Sequence, residues 1–138
     1  MTVAELLVTH PIAQQWTPAT RALYTTFSAL LMHDEPLLVK IGKGGLSYSK
    51  PTPTGDVFVL HFNAAPRGND EALAFADFRK DALQSRLDLE VTLHTLQKAL
   101  AASSLIKCGK VWCSLHFPLA KAPHVARVFA EHLIAKIQ

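Results

Sequence analysis

The stretch Val57-Phe58-Val59-Leu60-His61-Phe62 decides the fold class of this chain. Apart from His61 its residues are β-branched, aromatic or aliphatic, and runs rich in turn-forming residues bound it at 50–56 and 63–69. A short apolar run enclosed in this way is typical of a strand that is buried on both faces. We therefore predict that Val57–Phe62 is a central strand of a sheet.

A second central strand is predicted at residues 111–117, which repeat the Leu-His-Phe ending and are closed by Pro118. Alternation places Cys113 on one face of this strand, and Trp112 and His116 on the other. Weaker strand patterns at 37–41 and 46–50 flank a glycine-rich turn. The sequence thus predicts a mainly antiparallel sheet of about four strands.

Three helices are predicted to pack on one face of this sheet, which gives an α+β fold. Thr17 and Pro18 supply the N-cap and first residue of a helix at 18–32, and Pro123 opens a last helix at 122–137. Residues 71–102 are predicted as one continuous or kinked helix, since 84–102 contain no Gly or Pro. A strand at 87–93 followed by a helix at 94–102 stays open, because apolar residues also alternate there.

Length and composition favour one domain over residues 1–138. Residues 1–16 are predicted as a loose N-terminal arm, or with a short helix over Thr2–Val8. Charged residues make up 18% of the chain, whereas about 25% is usual. A surface poor in charge favours self-association or a protein partner. The net charge of +3 is milder than that of a dedicated nucleic-acid-binding protein.

The N-terminus shows no signal-peptide pattern, and no segment reaches the roughly 18 apolar residues that span a bilayer. We predict a cytoplasmic protein without membrane contact. Cys108 and Cys113 are then expected to be reduced thiols rather than a disulfide.

A metal site is weighed because the chain has seven histidines. If the two central strands are neighbours, His61 and His116 lie at the same end of the sheet, where they can bind zinc or iron or shuttle a proton. Cys113 is a weaker candidate ligand, since alternation points it away from His116. The leading expectation is that no cofactor is bound.

A basic and aromatic patch is predicted as a second kind of site, for a partner, a ligand or a nucleic acid. The residues predicted to bind a partner or ligand are Trp112, Tyr48, Lys40, Lys43 and Lys50. A nucleic-acid contact is predicted for Lys40, Lys43, Lys50, Lys107 and Lys110 with Tyr48.

The order of elements resembles that of the YdhG-like group of small domains. The shared features are Thr17-Pro18-Ala19-Thr20-Arg21 at the first helix, the Val57–Phe62 strand, and Cys108-Gly109-Lys110-Val111 before the last strand and helix. One branch of that group is proposed to handle iron, a role that aligns with no residue of this chain. The order is also similar to that of type III secretion chaperones, which implies a dimer.

The leading functional hypothesis is a non-catalytic interaction module that dimerises or binds a protein partner. The alternatives are a metal or small-ligand carrier at the His61 and His116 end of the sheet, and a weak nucleic-acid-binding protein. No nucleophile and base stand at a recognised catalytic spacing, so the sequence favours a role other than catalysis.

Overall fold

A computed structural model of the chain describes residues 2–64, 73–100 and 105–138. Within these residues, six strands form one antiparallel sheet: β1 (Leu38–Gly42), β2 (Gly45–Thr52), β3 (Gly55–Asn63), β4 (Leu73–Arg79), β5 (Ile106–Cys108) and β6 (Trp112–Pro118). Their order is β1-β2-β3-β4-β6-β5, so β1 and β5 are the edges. The predicted α+β class and antiparallel sheet are confirmed, but the sheet has two strands more than the predicted four.

The helices of the described residues are α1 (Val3–Thr9), α2 (Pro18–Leu31), α3 (Lys80–Leu83), α4 (Leu89–Ala99) and α5 (Ala122–His132). The predicted start of α2 is confirmed, since the Thr17 hydroxyl accepts a hydrogen bond from the Thr20 N–H at 3.1 Å. Of the two predictions for the N-terminus, the short helix is the one observed. None of the helices in these three ranges is both long and apolar enough to cross a membrane.

The core lies between the helices and one face of the sheet, and Phe62 of β3 is near its centre. The Phe62 ring stacks on Phe27 of α2 with 3.7 Å between centroids, and lies 5.5 Å from Tyr24 and 6.1 Å from Phe117. All four side chains are buried. This aromatic cluster joins α2 to β3 and β6, so the predicted central position of Val57–Phe62 is confirmed.

The prediction of a helix over 71–102 is wrong for residues 73–79. They form β4, which pairs with β6 along its whole length, from Leu73 opposite Pro118 to Arg79 opposite Trp112. Only Leu89–Ala99 of the predicted range is the long helix, capped by Asp88 through a 3.2 Å bond from the Val91 N–H. The alternative of a strand at 87–93 is therefore also wrong. Residues 71–72 and 101–102 of the prediction lie outside the described residues.

The prediction of reduced thiols at Cys108 and Cys113 is also wrong. Cys108 of β5 and Cys113 of β6 are directly opposite each other in the register and form a disulfide, with 4.0 Å between their Cα atoms. The Gly109 N–H donates to the Trp112 carbonyl at 2.8 Å, which makes Cys108 and Cys113 a non-hydrogen-bonded pair, the closer of the two kinds of pair. The expectation of free thiols overlooked that a tight hairpin brings these residues together.

Reduction of this disulfide is expected to lower the free energy of unfolding by about 2 kcal/mol, because a closed loop of only a few residues restricts the unfolded chain modestly. The measurement is urea unfolding with and without a phosphine reductant. The variant in which Cys108→Ser and Cys113→Ala are combined is the control, since the reductant has nothing to act on there. Equal midpoints for oxidised and reduced wild-type protein would contradict the expectation.

Candidate functional site

The face of the sheet opposite the helices, here called the open face, is not covered by any of the described helices. Six residues stand side by side on it in the strand register, one from each strand. From the β1 edge to the β5 edge they are Lys40, Ser47, His61, Asp77, Ser114 and Lys107. This polar row is what an antiparallel sheet usually shows to water.

Aromatic side chains stand on the open face along one side of the polar row. Trp112 of β6 is 45% exposed and meets Phe58 of β3 edge to face, with 6.0 Å between ring centroids. The Arg79 guanidinium lies 5.5 Å from the Trp112 ring and donates to both carboxylate oxygens of Asp81, at 3.0 and 2.7 Å. These hydrogen bonds lower the pKa of Asp81. Trp112 is therefore an exposed aromatic anchor held by an arginine and a second ring.

The opposite end of the open face is apolar as well. Phe75 of β4 packs against the His116 ring with 4.5 Å between centroids. Leu105, just before β5, is 58% exposed. A cavity of about 230 Å³ is lined by Leu105, Lys107, Ser114 and His116. Apolar groups thus flank the polar row on both sides, and the face is more apolar than exposure to water requires.

His61, a predicted metal ligand, has both ring nitrogens occupied. Its Nε2 lies 3.0 Å from the Gly44 carbonyl oxygen, and its Nδ1 lies 3.0 Å from the Ser47 hydroxyl. A carbonyl only accepts, so Nε2 carries the proton and Nδ1 accepts from Ser47. This is a histidine satisfied by its neighbours rather than one presented to a metal.

The structure does not bring the three candidate metal ligands together. β4 lies between the strands of His61 and His116, so these are not the neighbouring strands that the prediction assumed. Cys113 faces the core and is bonded to Cys108. In the described part of the chain, no three His, Cys, Asp or Glu side chains are grouped as around a metal ion.

Two of the predicted partner-binding residues make contacts within the protein and are not available on its surface. Tyr48 is fully buried, its hydroxyl lies 2.7 Å from that of Ser28, and burial raises its pKa. The Lys50 ammonium donates to the carbonyls of Ile134 and Ile137, each at 2.9 Å, and pairs with Glu35 at 2.8 Å. The prediction that Tyr48 and Lys50 belong to a binding patch on the surface is therefore wrong.

The remaining predicted partner-binding residues are on the surface. Lys40 stands on the open face and Lys43 is in the β1–β2 turn, and both are exposed. Lys107 is also on the open face, whereas Lys110 is in the β5–β6 turn. Lysines are therefore exposed at both edges of the sheet, but the Tyr48 ring that was predicted to stand among them is buried.

A groove beside the β1 edge, here called the edge groove, is the second candidate surface. It has a volume of about 630 Å³ and lies between α1, α2 and β1. Its lining is mostly small or apolar: Thr2, Val3, Ala4, Leu6, Thr25, Ser28, Ala29, Met32, Pro36, Leu37, Leu38 and Val39. A large apolar cleft of this kind is a common place for ligands and partner segments to bind.

Comparison with known proteins finds no match. The chain fits no protein-family model, and neither curated proteins nor solved structures yield a significant similarity. The resemblances to YdhG-like domains and secretion chaperones therefore stay predictions.

Sequence reasoning missed four residues of the open face: Phe58, Phe75, Asp77 and Arg79. Three of them belong to β4, which was predicted as helix. In the structure their burial has a period of two, with Leu73, Phe75, Asp77 and Arg79 half-exposed and the residues between them buried, but the hydrophobicity of the sequence does not follow that period. Trp112 is the predicted interaction residue that the structure places most prominently on this surface.

Proposed function

We propose that this protein is a non-catalytic interaction module that forms a homodimer through its open face. The observation that carries the proposal is a self-complementary charge pattern on three neighbouring strands. In the polar row, Asp77 stands on one side of Ser114 and Lys107 on the other. A face with an acid and a base on either side of a central strand can pair with a copy of itself.

The symmetry follows from the register. Suppose that the open faces of two copies meet and that a two-fold axis runs between them, parallel to β6. Asp77 then lies opposite Lys107 of the second copy, and Lys107 lies opposite Asp77 of the second copy. Phe75 and Leu105 both lie level with His116, so the same rotation places Phe75 opposite Leu105 of the second copy. Trp112 lies on the axis and faces its own copy. Every such contact occurs twice or on the axis, as an isologous interface requires.

Exposed apolar groups supply a reason to associate. Trp112 and Leu105 are 45% and 58% exposed, and both are removed from water in this arrangement. Tryptophan and arginine often dominate the energy of protein interfaces, and Arg79 supports Trp112 here. Pairing Asp77 with a lysine also gives this acid a partner in the buried interface.

The expected dimer is weak. β4 and β6 have seven residues each and β5 has three, so the strands are about 24, 24 and 10 Å long and, at a spacing of about 4.8 Å, offer roughly 280 Å² per copy. Stable interfaces usually bury about 800 Å² on each partner. We therefore expect a weak, reversible dimer with a dissociation constant in the micromolar range.

Charge reversal tests the proposal. Asp77→Lys and Lys107→Asp each place like charges opposite one another, so each is expected to raise the dissociation constant of the dimer at least tenfold. Combining both replacements restores opposite charges and is expected to restore dimerisation. The measurement is sedimentation equilibrium from 5 to 500 µM at low salt. Lys98→Asp, an exposed site on α4, changes the charge by the same amount without touching the open face and is the control.

Two outcomes would overturn the proposal: a monomer at every concentration, or a dimer that neither single reversal weakens. If the monomer also binds a fluorescent single-stranded oligonucleotide with a steep salt dependence, the face is assigned to nucleic acid instead. Stoichiometric zinc or iron, found by metal analysis of the same sample, would favour the carrier alternative.

A further inference from the structure

We infer that β1 and the edge groove bind an extended peptide segment in which apolar and acidic residues alternate. This site lies at the opposite edge of the sheet from the strands proposed to dimerise, so the inference does not depend on the dimer.

The backbone of β1 offers unused hydrogen-bonding groups. Gly42 and Gly45 close the β1–β2 hairpin around a two-residue turn, and such a closing pair is hydrogen-bonded. Hydrogen-bonded and non-hydrogen-bonded pairs alternate along an antiparallel ladder, so Lys40 bonds to β2 whereas Val39 and Ile41 do not. The N–H and C=O groups of Val39 and Ile41 therefore point away from the sheet, where no strand among the described residues meets them.

The register of an added strand decides where its side chains go. Residues placed opposite Val39 and Ile41 share their side of the sheet, the side of the helices. Val39 lines the edge groove, together with apolar residues of α1 and α2. Apolar side chains at alternate positions of the peptide would thus enter this groove while the backbone pairs with β1, the mode known as strand addition.

The positive charges of Lys40 and Lys43 favour acidic residues at the peptide positions between the apolar ones. The peptide residue opposite Lys40 would stand on the open face beside this exposed lysine, with Lys43 following in the adjacent turn. Within the described residues neither lysine takes part in an ion pair. An acidic residue placed opposite a lysine across two strands is favourable, whereas a basic one is not.

The other edge of the sheet is a poorer template for such a peptide. β5 has three residues, against five in β1. Fewer outward backbone groups give fewer hydrogen bonds, and short edge strands are one of the ways in which proteins discourage strand addition. The groove and the longer edge coincide at β1 alone among the described strands.

The probe for a test is a nine-residue peptide of alternating Val and Glu, acetylated and amidated at its ends. It is titrated into ¹⁵N-labelled protein at up to 2 mM and followed by two-dimensional NMR. We expect the amide signals of Val39 and Ile41 to shift in a saturable way. The same peptide with every valine N-methylated lacks the donors that strand pairing needs and is expected to cause no such shift.

Two variants locate the site. Lys40→Glu is expected to weaken binding at least fivefold, because it faces the acids of the peptide with a like charge. Lys98→Glu makes the same change in charge at an exposed position on α4, outside both proposed surfaces, and should leave the affinity within twofold of wild type. Ala29→Phe is expected to abolish binding by filling the edge groove, and it is tolerable because Ala29 is exposed on α2.

The inference is rejected if the amide signals of Val39 and Ile41 do not move at 2 mM. It is also rejected if the shifts centre on β5, or if Lys40→Glu and Lys98→Glu weaken binding equally. The state of association does not decide these outcomes, because sedimentation of the same samples measures dimerisation separately. Failure of the dimer and failure of the peptide site are therefore distinguishable.

Discussion

Gly45→Ala is expected to reduce the free energy of unfolding by more than about 3 kcal/mol, or to prevent folding altogether. Gly45 begins β2 with a φ of +126°, which L side chains rarely adopt. A Cβ atom at this position would also overlap the carbonyl oxygen of Phe62 in β3 and press on the Tyr24 hydroxyl, 3.0 Å away. The Phe62 backbone cannot yield easily, because its side chain is fixed in the aromatic core.

Gly55→Ala is the matched control. Gly55 begins β3 with a nearly equal φ of +123°, but nothing lies within 4 Å of a Cβ built there. It carries the cost of the backbone conformation alone, about 1–2 kcal/mol. Urea unfolding of the two variants separates the two causes. Equal losses in both would show that the overlap with Phe62 is relieved at no cost.

Phe62→Ala is expected to cost about 3–5 kcal/mol, the range typical of a large side chain removed from a packed core. The Phe62 ring is fully buried and contacts aromatic rings from α2 and β6. The cavity left behind cannot collapse without moving both elements. Thermal and urea unfolding measure the loss.

Phe58→Ala on the same strand is the control, because its ring faces the open side of the sheet and is half-buried. We expect it to cost less than about 1.5 kcal/mol, since much of its surface is already in water. A larger loss for Phe58→Ala than for Phe62→Ala would mean that the open face is a second core. That result would contradict the assignment of the two faces.

The elements that the sequence predicts well are those with unambiguous local signals. Thr17 and Pro18 start α2, Pro123 stands at the start of α5, and turn residues enclose β3. Each of these signals acts within a few residues of chain. No knowledge of the tertiary fold is needed to recognise them.

β4 was missed because two of its three inward residues, Ala74 and Ala76, are small. Ala74 and Ala76 are buried beneath the sheet, whereas Phe75 is on the open face. Alternation of hydrophobicity therefore disappears, and alanine suggests a helix. The inward positions take alanine where large rings such as those of Phe62 and Phe117 already fill the neighbouring space. Tertiary packing, rather than the local pattern, decides this segment.

The candidate surfaces were less predictable than the strands. Tyr48 was assigned to the surface because an alternating strand leaves open which of its faces is inward. Lys50 looks like any exposed lysine until the carbonyls of residues 134 and 137 are placed beside it. Asp77 and Lys107 are 30 residues apart in sequence. Their position on either side of Ser114 follows only from the order of the strands.

The bond from Lys50 to the carbonyls of Ile134 and Ile137 has a consequence for the protein during its synthesis. A ribosome adds roughly 5–20 residues per second, so the 84 residues between Lys50 and Ile134 take roughly 4–17 s to make. Throughout that interval α5 is not yet complete, so the apolar side of the first hairpins lacks the helix that packs beside α2 in the folded protein. The nascent chain therefore exposes apolar surface until its last helix emerges.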